Sequence, residues 1–317
     1  MRYVVAIAET GSFTRAAARN FVVQSALSHQ VAALERELGV QLFVRSSRQV
    51  RLTEAGEAFL PHARAALESA ERARDEAAAA DGAVRGKLRI GFIPTLTAVE
   101  LPALLRECRR RFPDLMLEAR VSNSEEMIQE VRNGTLDVAF LGLLDGTFPA
   151  AAVEKGTAQG VAVRELNRDT LAAVLNEDHP LARRKKLSLG ELAEESFADF
   201  PRTSAGRKQS DAAFARAGVE RQVAYELGSI ELTRELIVNG LAVTLLPGRY
   251  AARLQGVAVV PVKEETARHE YLIWDRLNPS PAARAFTALV AEVAGVAESE
   301  RLSRDLIGPG VQEHRVD

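Results

Sequence analysis

The stretch from Gly11 to Leu52 constrains the architecture of this chain more tightly than any other. Within about forty residues it holds helix-forming runs, a turn and an arginine-bearing hairpin. Residues 2–9 ahead of it read as a short apolar helix, closed by Thr10 and Gly11. Ser12 is a good N-cap for a second helix over residues 13–19, whose alanines permit close packing against a neighbour. Residues 20–23 form a turn. A third helix is expected from Gln24 to Leu38 and ends at Gly39, since glycine takes the left-handed cap conformation at no steric cost. Leu27, Val31, Leu34 and Leu38 recur at helical spacing and are expected to face a core.

The opposite stripe of that helix is small and polar: Ser25, Ser28 or His29, Ala32 and Arg36. Side chains that donate and accept hydrogen bonds suit a helix in the major groove of DNA, where each base pair shows its own pattern of groups. A solvated helix face has the same composition. The hairpin separates the two readings. Val40, Leu42 and Phe43, then Val50 and Leu52, read as short strands around residues 45–48. A hairpin carrying Arg45, Arg48 and Arg51 has little use as core, but can meet phosphates or enter a minor groove. Together the pieces predict a winged helix-turn-helix. Residues 1–53 carry seven arginines against three glutamates, while the whole chain has 41 basic and 43 acidic groups. A basic module on an acidic body directs only the module toward a polyanion.

The phrases GSFTRAA, ALSHQVAALERELGVQLF and LTEAGE, with the arginine hairpin between the last two, closely resemble the N-terminal domain of LysR-type transcriptional regulators. The residues then expected to contact DNA are Thr14, Arg15, Gln24, Ser25, Ser28, His29, Arg36, Arg45, Arg48 and Arg51. The departures from the family pattern cluster at the turn. Asn20 and Val23 stand where the family commonly has leucine and a capping serine, Ser25 where it has proline, and His29 where arginine is frequent. Ser25 is therefore a candidate for a shifted cap or for an additional base contact. The match begins near Tyr3, so helix one is expected to lack its first turn.

Thr53 and the glutamates at 54 and 57 open a long helix to about Ala80, with the acids at the positive end of its dipole. Leu60, Ala63, Leu67, Ala70 and Ala77 follow a helical spacing interrupted by Arg74, an alanine-rich seam suited to pairing with another helix. The resemblance implies a homodimer through this helix, presenting two recognition helices to an interrupted palindrome, and assembly to a homotetramer. Residues 81–86 serve as a hinge.

Beyond Lys87 strands alternate with helices, which predicts an α/β body built on parallel sheet covered on both faces. Strands are expected at residues 88–94, 115–121, 137–142, 160–166, 170–175, 197–200, 223–227 and 242–246, after which the chain returns through 257–262 to a strand at 270–274. Helices are expected over residues 101–113, 124–133, 189–194, 209–217, 230–239 and 280–293. VRNGTLDVAFLG and HPLA (residues 179–182) resemble the periplasmic-binding-protein-like (type 2) effector domain of the same family. The domain boundaries read as 1–53, 54–86, 87–296 and a flexible tail, 297–317. The effector domain divides into one half of residues 87–164 and 262–296 and another of 165–261. In open α/β sheets ligands settle beyond the carboxyl ends of strands. That rule selects Thr95, Thr97, Ser122, Arg202, Thr203, Ser229 and Pro247, hydroxyls and backbone groups suited to a small-molecule effector, a small carboxylate with Arg202 as its charge partner or another metabolite.

Several function classes are disfavoured. No apolar run approaches the roughly 18 residues of a membrane helix, and no signal-peptide block opens the chain, so a cytoplasmic address is expected. One cysteine excludes an internal disulfide, and Cys108 on an apolar helix face reads as core rather than redox sensor. The five histidines are scattered, so no metal or cofactor is expected. A cleft enzyme or solute binder tethered to DNA is the alternative, but no nucleophile–base pair or paired carboxylates can be located. The expected function is that of a ligand-responsive, DNA-binding regulator and not of an enzyme.

Overall fold

The computed structural model describes residues 1–45, 50–80, 83–144 and 161–294. Its contacts divide the chain into two compact units, Met1–Ala83 and Val84–Asp317.

The first unit opens with α1 (Arg2–Thr10), α2 (Phe13–Arg19) and α3 (Gln24–Leu38). Gly11 and Gly39 end α1 and α3 in the left-handed conformation, and the Ser12 side chain caps α2 by accepting from the Arg15 N–H. Leu27 and Val31 enter a core with Val4, Ile7, Phe13 and Leu42, and Leu34 packs at its edge. Leu38, expected to face that core, is exposed, because the final turn of α3 runs past it. Strands β1 (Phe43–Arg45) and β2 (Val50–Leu52) pair antiparallel, with Phe43 opposite Leu52. Val40, expected to begin the first strand, is exposed and precedes it. The Glu35 carboxylate ties α3 to this hairpin by accepting from the N–H groups of Leu42 (2.8 Å) and Phe43 (3.3 Å).

Helix α4 (Glu54–Ala80) follows, and Thr53 Oγ1 accepts from Gly56 N at 3.0 Å. Along its seam Ala63 is buried, Leu60 and Leu67 are half-buried, and Ala70 and Ala77 are exposed.

The second unit is built on a mixed sheet in the order β10-β6-β11-β5-β3-β4, with β9 also paired to β6. These strands are β3 (Gly86–Phe92), β4 (Leu115–Val121), β5 (Val138–Leu144), β6 (Val161–Asn176), β9 (Thr244–Pro247), β10 (Val257–Pro261) and β11 (Ala267–Asp275). Only β3–β4 and β3–β5 are parallel in this sheet; β11 runs antiparallel to both β5 and β6. The all-parallel expectation is corrected on this point: β11, reached from β10 without an intervening helix, inserts between β5 and β6 and runs antiparallel to both. The two strands expected at residues 160–166 and 170–175 are one continuous strand, β6. Its first part pairs with β11 and its second with β9 and β10, so β6 runs through both halves of the unit.

Helices α5 (Leu101–Arg111), α6 (Ser124–Arg132) and α10 (Pro281–Val293) accompany β3–β5 and β11. Their shared core contains Leu88, Ile90, Leu104, Met127, Phe140 and Phe286. The other half carries the parallel pair β7 (Ser196–Asp199) and β8 (Gln222–Glu226), with α7 (Ala205–Ala217), α8 (Ile230–Val238) and the single turn α9 (Gly248–Ala251). Its core is Leu171, Leu187, Phe197, Phe214, Val243 and Leu245. The helix expected over residues 189–194 is a short 3-10 turn, Leu189–Leu192, closed by a reciprocal Ser188–Glu191 capping box. Cys108 lies fully buried on α5, where burial pushes its thiol up to about 11. A thiol reagent at pH 8 is therefore expected to leave the native protein unlabelled and to react only on unfolding; stoichiometric labelling of folded protein would contradict this burial.

Candidate functional site

Two surfaces bring expected site residues together. On the first unit Gln24, Ser25 and His29 are exposed along the first turns of α3 and Ser28 is half-buried beside them. Gln24 Nε2 donates to Ser28 Oγ at 3.1 Å, which aligns the two side chains on one edge. Val23 is the N-cap and supplies no side-chain hydrogen bond, so the shifted cap considered for Ser25 is not made. Thr14 is exposed on α2; Arg15, also exposed, donates to the Thr10 carbonyl. Arg36 sits on the last turn of α3, its Nε reaching back to Ala32 O at 3.4 Å. Arg51 is exposed on β2. The backbone of Arg45 lies at the end of β1, and Arg48 falls outside the described residues.

The second surface is a cavity of about 210 Å³ between the two halves of the second unit. Four of the seven expected residues line it: Thr95, Ser122, Thr203 and Pro247. The other three do not, each for a local reason. Thr97 offers both its N–H and its hydroxyl to the Glu270 carboxylate at 3.1 Å. Ser229 is spent as the N-cap of α8, accepting from Leu232 N. Arg202 is 82% exposed and lies 3.8 Å from Glu226, directed to solvent rather than to the cavity.

The cavity wall also contains residues that the strand-end rule does not select: Phe200, Gln209, Ser124 and Arg268. Arg268 is 2% exposed. Its Nη1 donates to Glu270 Oε1 and its Nη2 to Thr95 Oγ1, both at 3.1 Å. Burial draws the guanidinium below its ordinary pKa, against the opposing pull of Glu270 and Asp169. Because Thr95 accepts from Arg268, the Thr95 hydroxyl proton is left to donate elsewhere. Gly142 makes room for this arginine: a Cβ there would stand 2.2 Å from Arg268 Nη2. The Gly142 carbonyl accepts from Gln209 Nε2 at 2.9 Å, a buried bond joining α7 in one half to β5 in the other. Lys208 and Glu125 add a second link between the same halves at 2.8 Å.

Arg268 carries one signal in the sequence. Arg268 and Glu270 are two residues apart and so share one face of a strand, an opposite-charge pair just ahead of the apolar run 271–274. A strand start placed at Glu270 hides it. The apolar spacing starts the next helix concerned at Gln209, whereas Ser204 caps that helix and puts Gln209 one turn inside.

Among the described residues no group of histidine, cysteine and carboxylate side chains could hold a metal ion, and no helix is long and apolar enough to cross a membrane. The wall chemistry, one buried cation among hydroxyls and apolar groups, is that of a binding pocket.

Comparison with known proteins agrees along the chain. Residues 1–57 match the family described as bacterial regulatory helix-turn-helix protein, lysR family, and residues 81–295 match the LysR substrate binding domain. The chain is 35% identical over 292 residues to the uncharacterized HTH-type transcriptional regulator YnfL of Escherichia coli (strain K12), covering 90% of this chain and 95% of that one. It is 33% identical over 296 residues to the Hca operon transcriptional activator HcaR of the same organism, covering 92% and 96%. The crystal structure of full-length CbnR complexed with its target DNA superposes with a TM-score of 0.66 at 27% identity, covering 92% of this chain and 98% of that one. These relatives are regulators, not enzymes.

Proposed function

The chain belongs to the LysR family of transcriptional regulators, with a helix-turn-helix DNA-binding domain and an effector-binding domain, and from that premise we propose how each domain does its work. The exposed edge of Gln24, Ser25 and Ser28 on α3 reads bases in the major groove. Arg45, Arg48 and Arg51 of the hairpin hold the phosphates on either side and fix the register without reading sequence. Pairing of two α4 helices along Ala70 and Ala77, exposed in the single chain, gives the homodimer and its two half-sites. The effector is a small carboxylate bound in the cavity between the two α/β halves.

The observation that carries the effector reading is the cavity wall. Among the described residues Arg268 is the one charged group in it, buried beside Thr95 and set against apolar neighbours such as Phe200 and Leu245. Arg268 is already paired with Glu270, so an anionic ligand would share its guanidinium with that carboxylate, and apolar walls favour a compact organic body. Effector binding then biases the assembly through a coupling free energy of about 1–3 kcal/mol, the usual size of allosteric coupling between two sites.

Three measurements test this reading. Arg45→Ala with Arg48→Ala is expected to weaken operator and random DNA together. It should also reduce the slope of log affinity against log salt by about two, one for each phosphate no longer neutralised. An unchanged slope would remove the hairpin from the phosphates. Gln24→Ala and Ser28→Ala are expected instead to change the sequence recovered from a randomised-site selection. Thermal-shift titration of the whole chain with matched organic acids and their amides is expected to register the acids; a response confined to amides would rule out the carboxylate.

A further inference from the structure

The turn between α2 and α3 contains a residue that folding alone does not call for. Phe21 is 96% exposed, and it is the one non-glycine residue among those described with a positive φ, at 54°. A bulky side chain is disfavoured in the left-handed region, where glycine or asparagine is the ordinary choice. An isolated exposed apolar residue needs no explanation; one fixed in a conformation that penalises it does.

Its neighbours give the direction. Val22 turns inward and packs on the core of the first unit. Val23, the N-cap of α3, turns outward again and is 69% exposed. Gln24 and Ser25 follow, both exposed, with Ser28 one turn on. Phe21 and Val23 therefore put exposed apolar side chains immediately ahead of Gln24 and Ser25, at the end of α3 that, on the reading above, faces the bases. The hydroxyl and amide groups of that surface address donors and acceptors. What an aromatic ring and a branched aliphatic group address in the major groove is the C5-methyl of thymine, the apolar feature of a base-pair edge there.

We propose that Phe21 and Val23 form an apolar reading element, contacting thymine methyl groups at the edge of each half-site, and that this element sets a thymine preference beside the bases read by Gln24 and Ser28. The occupant is DNA because the element continues the face of α3 that the helix-turn-helix domain presents. The inference rests on that assignment of α3. The strained backbone at Phe21 is retained because the ring it presents is used in binding.

The test begins with a randomised-site selection on the full-length chain, followed by the same selection on Phe21→Asn and Phe21→Leu. Asparagine tolerates the left-handed backbone, so Phe21→Asn is expected to fold with unchanged or raised thermal stability. It is expected to lose the thymine preference at the outer positions of the half-site, whereas Phe21→Leu retains part of it. The selected operator is then synthesised with deoxyuridine in place of thymidine at those positions, which removes only the methyl groups. Wild-type affinity is expected to fall about fourfold for each methyl removed, the equivalent of one methyl-sized group returned to water. The Phe21→Asn protein is expected not to distinguish the two duplexes.

Equal binding of both duplexes by the wild type, or an unchanged consensus for Phe21→Asn, would overturn the proposal. A change of oligomeric state in Phe21→Asn with the consensus intact would assign the ring to a second copy of the chain and overturn it as well. Gln24→Ala and Ser28→Ala, selected in parallel, separate the two levels. If they shift the consensus and Phe21→Asn does not, this inference fails alone; if none of the three shifts it, the assignment of α3 fails too.

Discussion

Replacing Glu270 by alanine is expected to destabilise the second unit by about 3–5 kcal/mol, the usual cost of removing one partner of a buried ion pair. Glu270 is fully buried on β11 and serves two clients. It accepts from Arg268 Nη1 on the same strand, and it accepts from the N–H groups of Thr97 and Ala98 and the Thr97 hydroxyl on the loop after β3. Alanine leaves a buried guanidinium without its counter-charge and two loop N–H groups without an acceptor. The second loss matters because Thr95, which lines the cavity, stands just ahead of Thr97. Denaturant unfolding measures the cost. Arg268→Met in the Glu270→Leu background is expected to recover the part of the stability lost with the ion pair, while the Thr97 and Ala98 N–H groups stay without their acceptor. It is also expected to abolish the response to an acidic effector. Recovery of stability together with an intact effector response would exclude Arg268 from ligand binding, while an unaffected Glu270→Ala protein would show that the pair contributes nothing to the fold.

Gly56→Ala is the second large effect, and it is expected to fall on the first unit. An added Cβ at this first turn of α4 would stand 2.1 Å from the Leu42 carbonyl oxygen and 2.9 Å from Leu52 Cδ2. The leucine side chain can move, but the carbonyl is held. Leu42 O accepts from Thr53 N at 3.0 Å, and Leu42 N is fixed by the Glu35 carboxylate at 2.8 Å. Relief therefore requires moving the hairpin or the start of α4. A cost at or above the upper end of overpacking, about 3 kcal/mol, is expected. The functional result should be selective. Operator binding, measured by fluorescence anisotropy, is expected to be lost, whereas the thermal shift given by an effector on the second unit is retained. Joint loss of both would mean that the two compact units do not fold independently.

The parts of the fold most legible in the sequence are those with local causes. Ser12, Gly11, Gly39 and Thr53 punctuate the chain by satisfying or ending helix termini: α1 ends at Gly11, α2 begins after Ser12, α3 ends at Gly39 and α4 begins after Thr53. The least legible part is β6. Asn167, Arg168 and Asp169 look like a turn between two apolar runs, yet the backbone continues extended through them. These polar residues lie where the strand passes between the halves and leaves both cores, and their partners on β11 shift register between Glu270 and Tyr271. Tertiary pairing, not local propensity, decided the conformation. The cavity was half legible for a related reason. Strand ends locate its loops, but which hydroxyl faces the space depends on competing local bonds: Ser229 caps a helix and Thr97 answers a carboxylate that is distant in sequence.

The position of β11 carries a consequence for how the protein is made. In the sheet this strand lies between β5 and β6, but in the chain it follows them by roughly ninety residues or more. During synthesis β5 and the first part of β6 therefore emerge long before the strand that separates them. Until residues 267–275 leave the ribosome, each presents an unpaired row of backbone donors and acceptors, and two such edges can pair wrongly with each other or with a neighbouring chain. A message truncated before this strand would yield an aggregating product rather than a smaller regulator, and a chaperone that shields exposed edges would act in the interval before β11 arrives.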